Sequence, residues 1–260
     1  MKLDFYKYQG TGNDFVLLDN RDGRYASLSR EQIAQICHRR FGIGADGLML
    51  LNPNDEGDFE MKYYNSDGGE STMCGNGGRC IVAFAHDLGI IGDQCRFLAI
   101  DGWHDALLQN NAEIELQMND VQDILSKETF FQLNTGSPHY VHFMEDIDDL
   151  DVKKEGALIR YSPLFKEEGI NVNFVEQTEP GRLKVRTYER GVEDETWSCG
   201  TGVTASAIAS VYNLPGKFHV KVSTPGGELT VKCSSEDGLH FQDVWLCGPA
   251  RFVFQGEYNV

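Results

Sequence analysis

No run of this sequence is apolar for long enough to cross a bilayer as a helix, which takes about 20 predominantly apolar residues, so no membrane partner is expected. Polar side chains interrupt the first residues, Met1-Lys2-Leu3-Asp4-Phe5. No secretion signal is read there, and a cytoplasmic location is expected. Basic residues are scarce: Lys and Arg number 23 against 40 Asp and Glu, a formal charge of −17. A nucleic-acid partner would require a basic patch to replace phosphate counterions, so none is expected, and the acidic excess reads as a solubilising surface. No CxxC occurs among the seven cysteines, Cys37, Cys74, Cys80, Cys95, Cys199, Cys233 and Cys247. Cys74 and Cys80 are six apart, which is not a zinc-knuckle spacing, and no metal is expected. An odd count without a secretion signal favours a reducing compartment.

One short motif is present twice. Cys74-Gly75-Asn76-Gly77-Gly78 and Cys199-Gly200-Thr201-Gly202-Val203 lie 125 residues apart. Other features recur at nearly the same offset. Gly12-Asn13-Asp14-Phe15 falls opposite Gly136-Ser137-Pro138-His139, and Gly42-Ile43-Gly44-Ala45 opposite Gly169-Ile170-Asn171-Val172. Tyr64 falls opposite Tyr188, and Asp101-Gly102 opposite Pro225-Gly226. So long an offset indicates two related domains and not a solenoid array. With 260 residues, 41% hydrophobic and 24% charged, the chain can build two ordinary soluble domains. No Gly/Ser/Pro-rich linker separates them, and the polar stretch Asp120 to Lys127 is the best boundary.

Within each half the pattern predicts strands around one buried helix. Strands are expected at Leu3 to Tyr8, Phe15 to Asp19, Gly47 to Leu51 and Glu60 to Tyr64. Ser29 is the expected N-cap of an amphipathic helix, Gln32 completes a capping box, and Ile33, Ile36 and Cys37 form its apolar face. A shorter counterpart is expected at Ser162-Pro163-Leu164, with Ser as cap and Pro at the first helical position. In the second half Leu183 to Tyr188 leads toward the motif; Ala112 to Met118, Phe218 to Val222, Val244 to Leu246 and Arg251 to Phe254 also read as strands. After each motif cysteine comes a run without a polar face, Ile81 to Ala85 and Val203 to Val211, which reads as a buried helix. Gly89 ends the first; Asn213, Pro215 and Gly216 end the second. The fold class is α+β: two pseudo-symmetric domains, each a mixed, barrel-like sheet wrapped around a central helix.

The paired motif carries chemistry. A helix N-terminus offers unpaired N–H groups and the positive end of its dipole, and glycines let a ligand approach that backbone. Two such ends would hold a carboxylate and favour thiolate over thiol. An α-amino acid held this way would place its α-carbon within reach of both sulfurs. One thiolate could remove the α-proton while the other thiol returns a proton to the opposite face. The stereocentre inverts without a cofactor, and the backbone amides support the enolate character of the transition state. For a single CGxG, a glycine-rich turn before a core helix would be the better reading; for two in register, the functional reading is preferred.

At these residues the chain resembles the diaminopimelate epimerases, within the wider family of cofactor-independent two-cysteine amino-acid racemases. The resemblance covers nearly the whole length. It rests on Gly10-Thr11-Gly12-Asn13-Asp14-Phe15, Gly42-Ile43-Gly44-Ala45-Asp46-Gly47, Asn65-Ser66-Asp67-Gly68, Met73-Cys74-Gly75-Asn76-Gly77, Gly136-Ser137-Pro138-His139, Tyr188-Glu189-Arg190-Gly191, Cys199-Gly200-Thr201-Gly202 and Pro225-Gly226-Gly227. It implies interconversion of LL- and meso-diaminopimelate, a step toward lysine and peptidoglycan. It implies Cys74 and Cys199 as the base and acid pair. Gly75, Asn76, Gly200 and Thr201 would bind the reacting carboxylate, with Asn13 orienting the substrate. Asn65, Asn171 and Arg190 would hold the distal end, where Arg190 can grip a carboxylate and Glu189 can accept from an ammonium. His139, with Glu189, is a candidate for tuning a thiol or a structural histidine. The resemblance also implies domains at 1–122 and 123–248 with the site in the cleft they form, a final strand near 249–260 returning to the first domain, and a homodimer. Three positions depart from the family pattern: Ser137 replaces a common asparagine, Gly47 replaces a common glutamine, and the Glu189-to-Cys199 loop is one residue longer. Two other readings stay open. One is an epimerase of the same fold acting on another amino acid, of histidine or hydroxyproline type. The other is a non-catalytic redox or metal-binding thiol protein.

Overall fold

Alternating burial sets the first sheet. Leu3 and Phe5 point inward from β1 (Lys2–Gly10) while Lys2 and Asp4 face solvent, the period of two that a half-buried strand requires. The computed structural model describes residues 1–109 and 113–260, and the chain divides into two units: Met1–Leu116 with Gly248–Val260, and Gln117–Cys247. Of the strand expected at Ala112 to Met118, Ala112 lies outside the described residues, and the observed strand is Glu113–Gln117.

The first unit continues with β2 (Asn13–Asp19), α1 (Arg30–Cys37), β3 (Gly47–Asn52), β4 (Phe59–Asn65), α2 (Gly75–Asp87), β5 (Gln94–Ala99), β6 (Gly102–Leu108) and β7 (Glu113–Gln117). The last strand of the chain, β17 (Arg251–Asn259), runs antiparallel to β1 from Lys2↔Asn259 to Gln9↔Arg251. The neighbour order is β17-β1-β2-β3-β4-β5-β6-β7. Among the described residues of this unit, only β2–β3 and β4–β5 pair in parallel, and these are the pairs whose connections carry α1 and α2. Ser29 caps α1 with the full reciprocal box to Gln32, and Ile33, Ile36 and Cys37 are its buried residues. Helix α2 is buried from Gly75 through Val82 and packs on β1, β2, β3 and β17.

The second unit repeats this plan. It contains β8 (Ile124–Ser126), β9 (Phe131–Asn134), β10 (Pro138–Phe143), α3 (Val152–Arg160), β11 (Asn171–Glu179), β12 (Arg182–Glu189), β13 (Asp194–Thr196), α4 (Gly200–Ser210), β14 (Gly216–Thr224), β15 (Gly227–Ser235) and β16 (Gln242–Pro249). The order is β8-β9-β10-β11-β12-β14-β15-β16, with parallel pairs at β10–β11 and β12–β14, the same two places as before. Helix α4 is buried from Gly200 to Ala209 and packs on β9 to β12, β14 and β15. The pairings fix the repeat residue by residue. Phe15 faces Gly47 as His139 faces Asn171, and Met49 faces Tyr63 as Asn173 faces Thr187. The offset is 124 through these strands.

Several local expectations need correction. The second-half counterpart of α1 is not at Ser162-Pro163-Leu164. It is α3, capped by Asp151, whose side chain accepts from the Lys154 N–H. The Ser162 carbonyl accepts from Phe165 and Lys166, but Gly169 closes this one turn onto Phe165, and it does not propagate. An additional strand, β13, stands between β12 and the second motif, paired to β12. The tight turn opposite Gly102 holds Gly227 and not Gly226: Ala99 pairs Gly102 as Thr224 pairs Gly227, and both glycines have positive φ.

Candidate active site

In the first unit a turn with two positive-φ residues, Thr11 (φ 49°) and Gly12 (φ 83°), reverses the chain and sets Asn13 at the head of β2. Cys74 is the N-cap of α2, in extended conformation (φ −110°, ψ 117°), and is partly exposed. Its Sγ donates to Asn13 Oδ1 at 3.5 Å, and Asn76 Nδ2 donates to the same oxygen at 3.4 Å. Asn13 Nδ2 donates to Asp46 Oδ2 at 2.6 Å, which fixes the amide orientation. Asp46 is held by Arg39 at 2.6 Å, and Arg39 also holds Asp14, which pairs with Lys7 at 2.6 Å. Burial pushes the Asp14 carboxyl up, but Arg39 and Lys7 outweigh it and hold the group below the usual carboxylate range. From within the helix, the fully buried Arg79 donates to Asn76 Oδ1 at 3.0 Å and to Thr11 Oγ1 at 3.3 Å.

In the second unit Cys199 is the N-cap of α4 with nearly the same backbone (φ −110°, ψ 108°), and is 7% exposed. Its Sγ lies 3.4 Å from Thr201 Oγ1. Thr135 Oγ1 donates to the Thr201 carbonyl at 2.8 Å and ties the turn before β10 to the helix start. Thr201 Oγ1 is 2.9 Å from His139 Nε2 and 3.2 Å from Ser137 Oγ, and Ser137 Oγ is 3.0 Å from the same imidazole nitrogen. His139 is wholly buried, and its ring nitrogens are engaged by Thr201, Ser137 and Asn173. Burial first, and the Arg190 charge second, push its pKa down to about 3, so the imidazole is neutral.

Gly75, Asn76, Gly200 and Thr201 form the first turns of α2 and α4, where backbone N–H groups point out of the helix end. Asn171 Nδ2 donates to Ser137 Oγ at 3.0 Å, and its Oδ1 accepts from the Arg190 N–H at 2.8 Å. Asn171 thereby links the turn that carries Ser137 to the end of β12, which carries Glu189 and Arg190. Arg190 Nη1 donates to the Glu168 carbonyl at 2.9 Å. Asn65 is the exposed last residue of β4, paired with Gly47 and two strands from Asn13. A side chain at 47 would collide with the Tyr63 ring and the Tyr64 carbonyl, which accounts for glycine there.

The five other cysteines are buried, as expected. Burial pushes the Cys37 and Cys95 thiols up to about 12 and Cys233 to about 11, and raises Cys80 as well, so these sulfurs stay protonated and inert. Among the described residues, no cluster of three or more His, Cys, Asp or Glu side chains is arranged to hold a metal ion. Thr11, Asp46, Arg79, Asn173 and Thr187 support the two cysteine sites, and sequence reasoning does not single them out. Asn173 carries one usable signal: a polar side chain between Val172 and Phe174, at the position where the other repeat has Met49.

The chain is a duplicated α+β fold with one cysteine at the N-cap of a buried helix in each repeat. The sequence matches the family described as diaminopimelate epimerase over residues 5–122 and 131–253. It is 51% identical over 256 residues to the diaminopimelate epimerase of Flavobacterium psychrophilum, covering 98% of this chain and 99% of that one. It is 43% identical to that of Chlorobaculum tepidum, covering 95% and 98%. The chain belongs to the diaminopimelate epimerase family. In fold it is similar to a PhzF-family phenazine biosynthesis protein of Bacillus anthracis (TM-score 0.75, 13% identity, 100% of both chains). It is also similar to a hydroxyproline epimerase of Agrobacterium vitis (TM-score 0.68, 13% identity, 98% and 92% covered).

Proposed function

We propose that this chain interconverts LL- and meso-diaminopimelate, and that Cys74 and Cys199 are its two acid–base groups. The observation that carries the mechanism is that, of the seven cysteines, these two stand at the N-caps of buried helices, one in each repeat. The positive end of a helix dipole favours a thiolate, and the N–H groups of Gly75, Asn76, Gly200 and Thr201 suit the carboxylate of the reacting carbon. One thiolate takes the α-proton: the S–H bond forms and the Cα–H bond breaks. The other thiol gives its proton to the opposite face of the carbanion. The electron pair left on carbon spreads into the carboxylate, where amide donors act most strongly in the transition state. Exclusion of water strengthens that field and protects the carbanion from stray protons.

Membership of the family supports the substrate. Asn65, Asn171, Glu189 and Arg190 suit a substrate whose far end carries its own carboxylate and ammonium. The reaction belongs to the supply of lysine and peptidoglycan precursors. A homodimer in the cytoplasm is the proposed setting, with sedimentation as its check. The deciding experiment is incubation of the protein with diaminopimelate, histidine and hydroxyproline in deuterated water. Deuterium at the α-carbon of diaminopimelate is expected; exchange on another amino acid and none on diaminopimelate would overturn the substrate. Full activity in both Cys74→Ala and Cys199→Ala would overturn the mechanism.

A further inference from the structure

Three buried positions that correspond between the repeats differ in polarity. The first unit has Phe15, Met49 and Tyr63; the second has His139, Asn173 and Thr187 in the same places on the same strands. Burying polar groups costs free energy unless every one is paired, so a polar trio retained where the other repeat has two apolar side chains and a phenol ring calls for a function. Gly202 makes room for it: a Cβ there would overlap Asn173 Oδ1 and press on His139 Cε1, whereas at Gly77 the corresponding neighbour is the Met49 methyl.

The hydrogen bonds have one consistent direction. Thr187 Oγ1 donates to Asn173 Oδ1 at 3.0 Å. Asn173 Nδ2 donates to the Tyr140 carbonyl at 3.0 Å, which can only accept, so the amide orientation is fixed. The same Nδ2 donates to His139 Nδ1 at 3.1 Å. The neutral ring therefore carries its proton on Nε2, aimed at Thr201 and Ser137. Ser137 Oγ already accepts from Asn171 and from the ring, so its lone pairs are filled. The Thr201 hydroxyl, itself an acceptor from the ring, is left with its proton directed at Cys199 Sγ. In the first unit the arrangement is reversed. Cys74 faces the oxygen of an amide whose nitrogen is bound to Asp46, so the sulfur meets an acceptor and must itself donate. The helix dipole acts alike on both sulfurs, because their N-cap conformations match, and cannot distinguish them.

We infer that Asn173 is a positioning residue: through His139 and Thr201 it aims a hydroxyl proton at Cys199, so that the resting protein holds its thiolate at Cys199 and its thiol at Cys74. Of the charged groups around the two sites, Arg190 acts on His139, Asp46 stands behind Asn13, and Arg79 stands behind Asn76. Under the epimerase reading, on which this consequence alone rests, the ligand-free protein first turns over the stereoisomer whose α-hydrogen meets Cys199. After that turnover the proton resides on Cys199 and the thiolate on Cys74, ready for the reverse reaction.

The test is the pH dependence of alkylation by iodoacetamide in ligand-free protein, followed at each cysteine by peptide mass spectrometry. The Cys199 midpoint is expected at least about one pH unit below that of Cys74, the size of shift one charge-stabilising hydrogen bond gives. Thr201→Val should raise the Cys199 midpoint toward that of Cys74, Thr201→Ser should restore it, and Asn173→Leu should raise it part of the way. The Cys74 midpoint should stay fixed in all three. A lower midpoint at Cys74 in the unaltered protein overturns the inference whatever the variants do, as does an unmoved Cys199 midpoint in folded Thr201→Val. If the order holds but diaminopimelate shows no α-exchange, the epimerase reading fails and the relay stands.

Discussion

The two repeats share a backbone plan and place their charges and polar groups in opposite layers. In the first, charged side chains support the turn beside the cysteine: Asp14 and Asp46, bound to Lys7 and Arg39. The positions that correspond to Asp14 and Asp46 in the second are Pro138 and Ile170, which are apolar. Beneath, the second repeat has His139, Asn173 and Thr187 where the first has Phe15, Met49 and Tyr63. Even within the helices, the buried Arg79 of α2 stands where α4 has Thr204, whose hydroxyl returns to the Gly200 carbonyl at 3.0 Å. The comparison separates what a duplicated scaffold must keep from what it can change. Strand order, the two parallel crossings and the N-cap cysteine are kept. The side chains around each sulfur are not, and a two-base reaction, in which one thiol must be charged while the other is not, would have a use for that difference.

The largest expected effect comes from breaking the pair itself. Cys74→Ala and Cys199→Ala should each lower turnover by about 10²–10⁴-fold, the usual contribution of one proton-transfer group. Circular dichroism should show both folded. The comparison sharpens if the remaining sulfur is followed alone. Each variant should still exchange the α-hydrogen of one stereoisomer in deuterated water without inverting it, and the two variants should favour opposite stereoisomers. The same preference in both would mean the sulfurs do not act on opposite faces.

Next in size is a pair of glycine substitutions. Gly202→Ala drives a methyl into the Asn173 amide, which is held by three hydrogen bonds, so the relay must break or the helix must shift. Overpacking of this kind costs about 1–3 kcal/mol. Gly77→Ala meets only the flexible end of Met49, and the gain in helix propensity, about 1 kcal/mol, offsets much of the strain. Urea denaturation midpoints should fall clearly for Gly202→Ala and little for Gly77→Ala. Equal losses would show that the polar trio is no more rigid than its counterpart.

The third contrast is with acid. His139 titrates near 6.5 in the unfolded chain and near 3 when folded. Between those values the unfolded state binds the proton and the folded state does not, so stability falls as pH drops from about 6.5 toward 3 and is fully present above that window. Phe15, in the same place in the first repeat, has no such dependence. Thermal unfolding of the parent protein and of His139→Gln, compared from pH 7 to pH 4, should show the parent losing more. Parallel curves would mean that His139 takes up its proton at the same pH in the folded and the unfolded chain.

Much of the fold and of the candidate site is legible in the amino-acid sequence. The CGxG repeats, the capping box at Ser29 and the strands of the first repeat follow from local pattern, because each is set by residues within a few positions of one another. The long apolar runs after Cys74 and Cys199 identify the buried helices for the same reason. The helix at Val152–Arg160 is harder to read: its buried residues are Val152 and Gly156, glycine is a poor helix former, and Gly156 is there to admit the Tyr188 ring from β12. Ser162-Pro163 offers a stronger local signal that tertiary packing does not use. The relay behind Cys199 is illegible in a different way. Its members come from β10, β11, β12 and α4, and nothing in the sequence states that Asn173 meets His139 until strand register places them side by side.

The smallest contrast lies in the helices away from the sulfurs. Helix α1 is capped by an uncharged hydroxyl, Ser29, which accepts from the Gln32 N–H at 3.3 Å; α3 is capped by a carboxylate, Asp151, which accepts from the Lys154 N–H at 3.1 Å. Replacing Ser29 with Ala removes one of the two capping bonds, because the Ser29 N–H to Gln32 Oε1 bond at 2.9 Å belongs to the backbone and survives. The cost should be about 1 kcal/mol, a shift of about 2–4 °C in unfolding temperature for a chain near this size. Asp151→Ala loses a capping bond and also a negative charge at the positive end of the helix, worth about 0.3–1 kcal/mol more at low salt. Salt screens the second contribution and leaves the first. Thermal melts in dilute buffer should therefore rank Asp151→Ala below Ser29→Ala, and in about 1 M NaCl, where the screening length is about 3 Å, the two should converge. Persistence of the gap at high salt would assign it to packing of the first turn of α3 and not to its dipole.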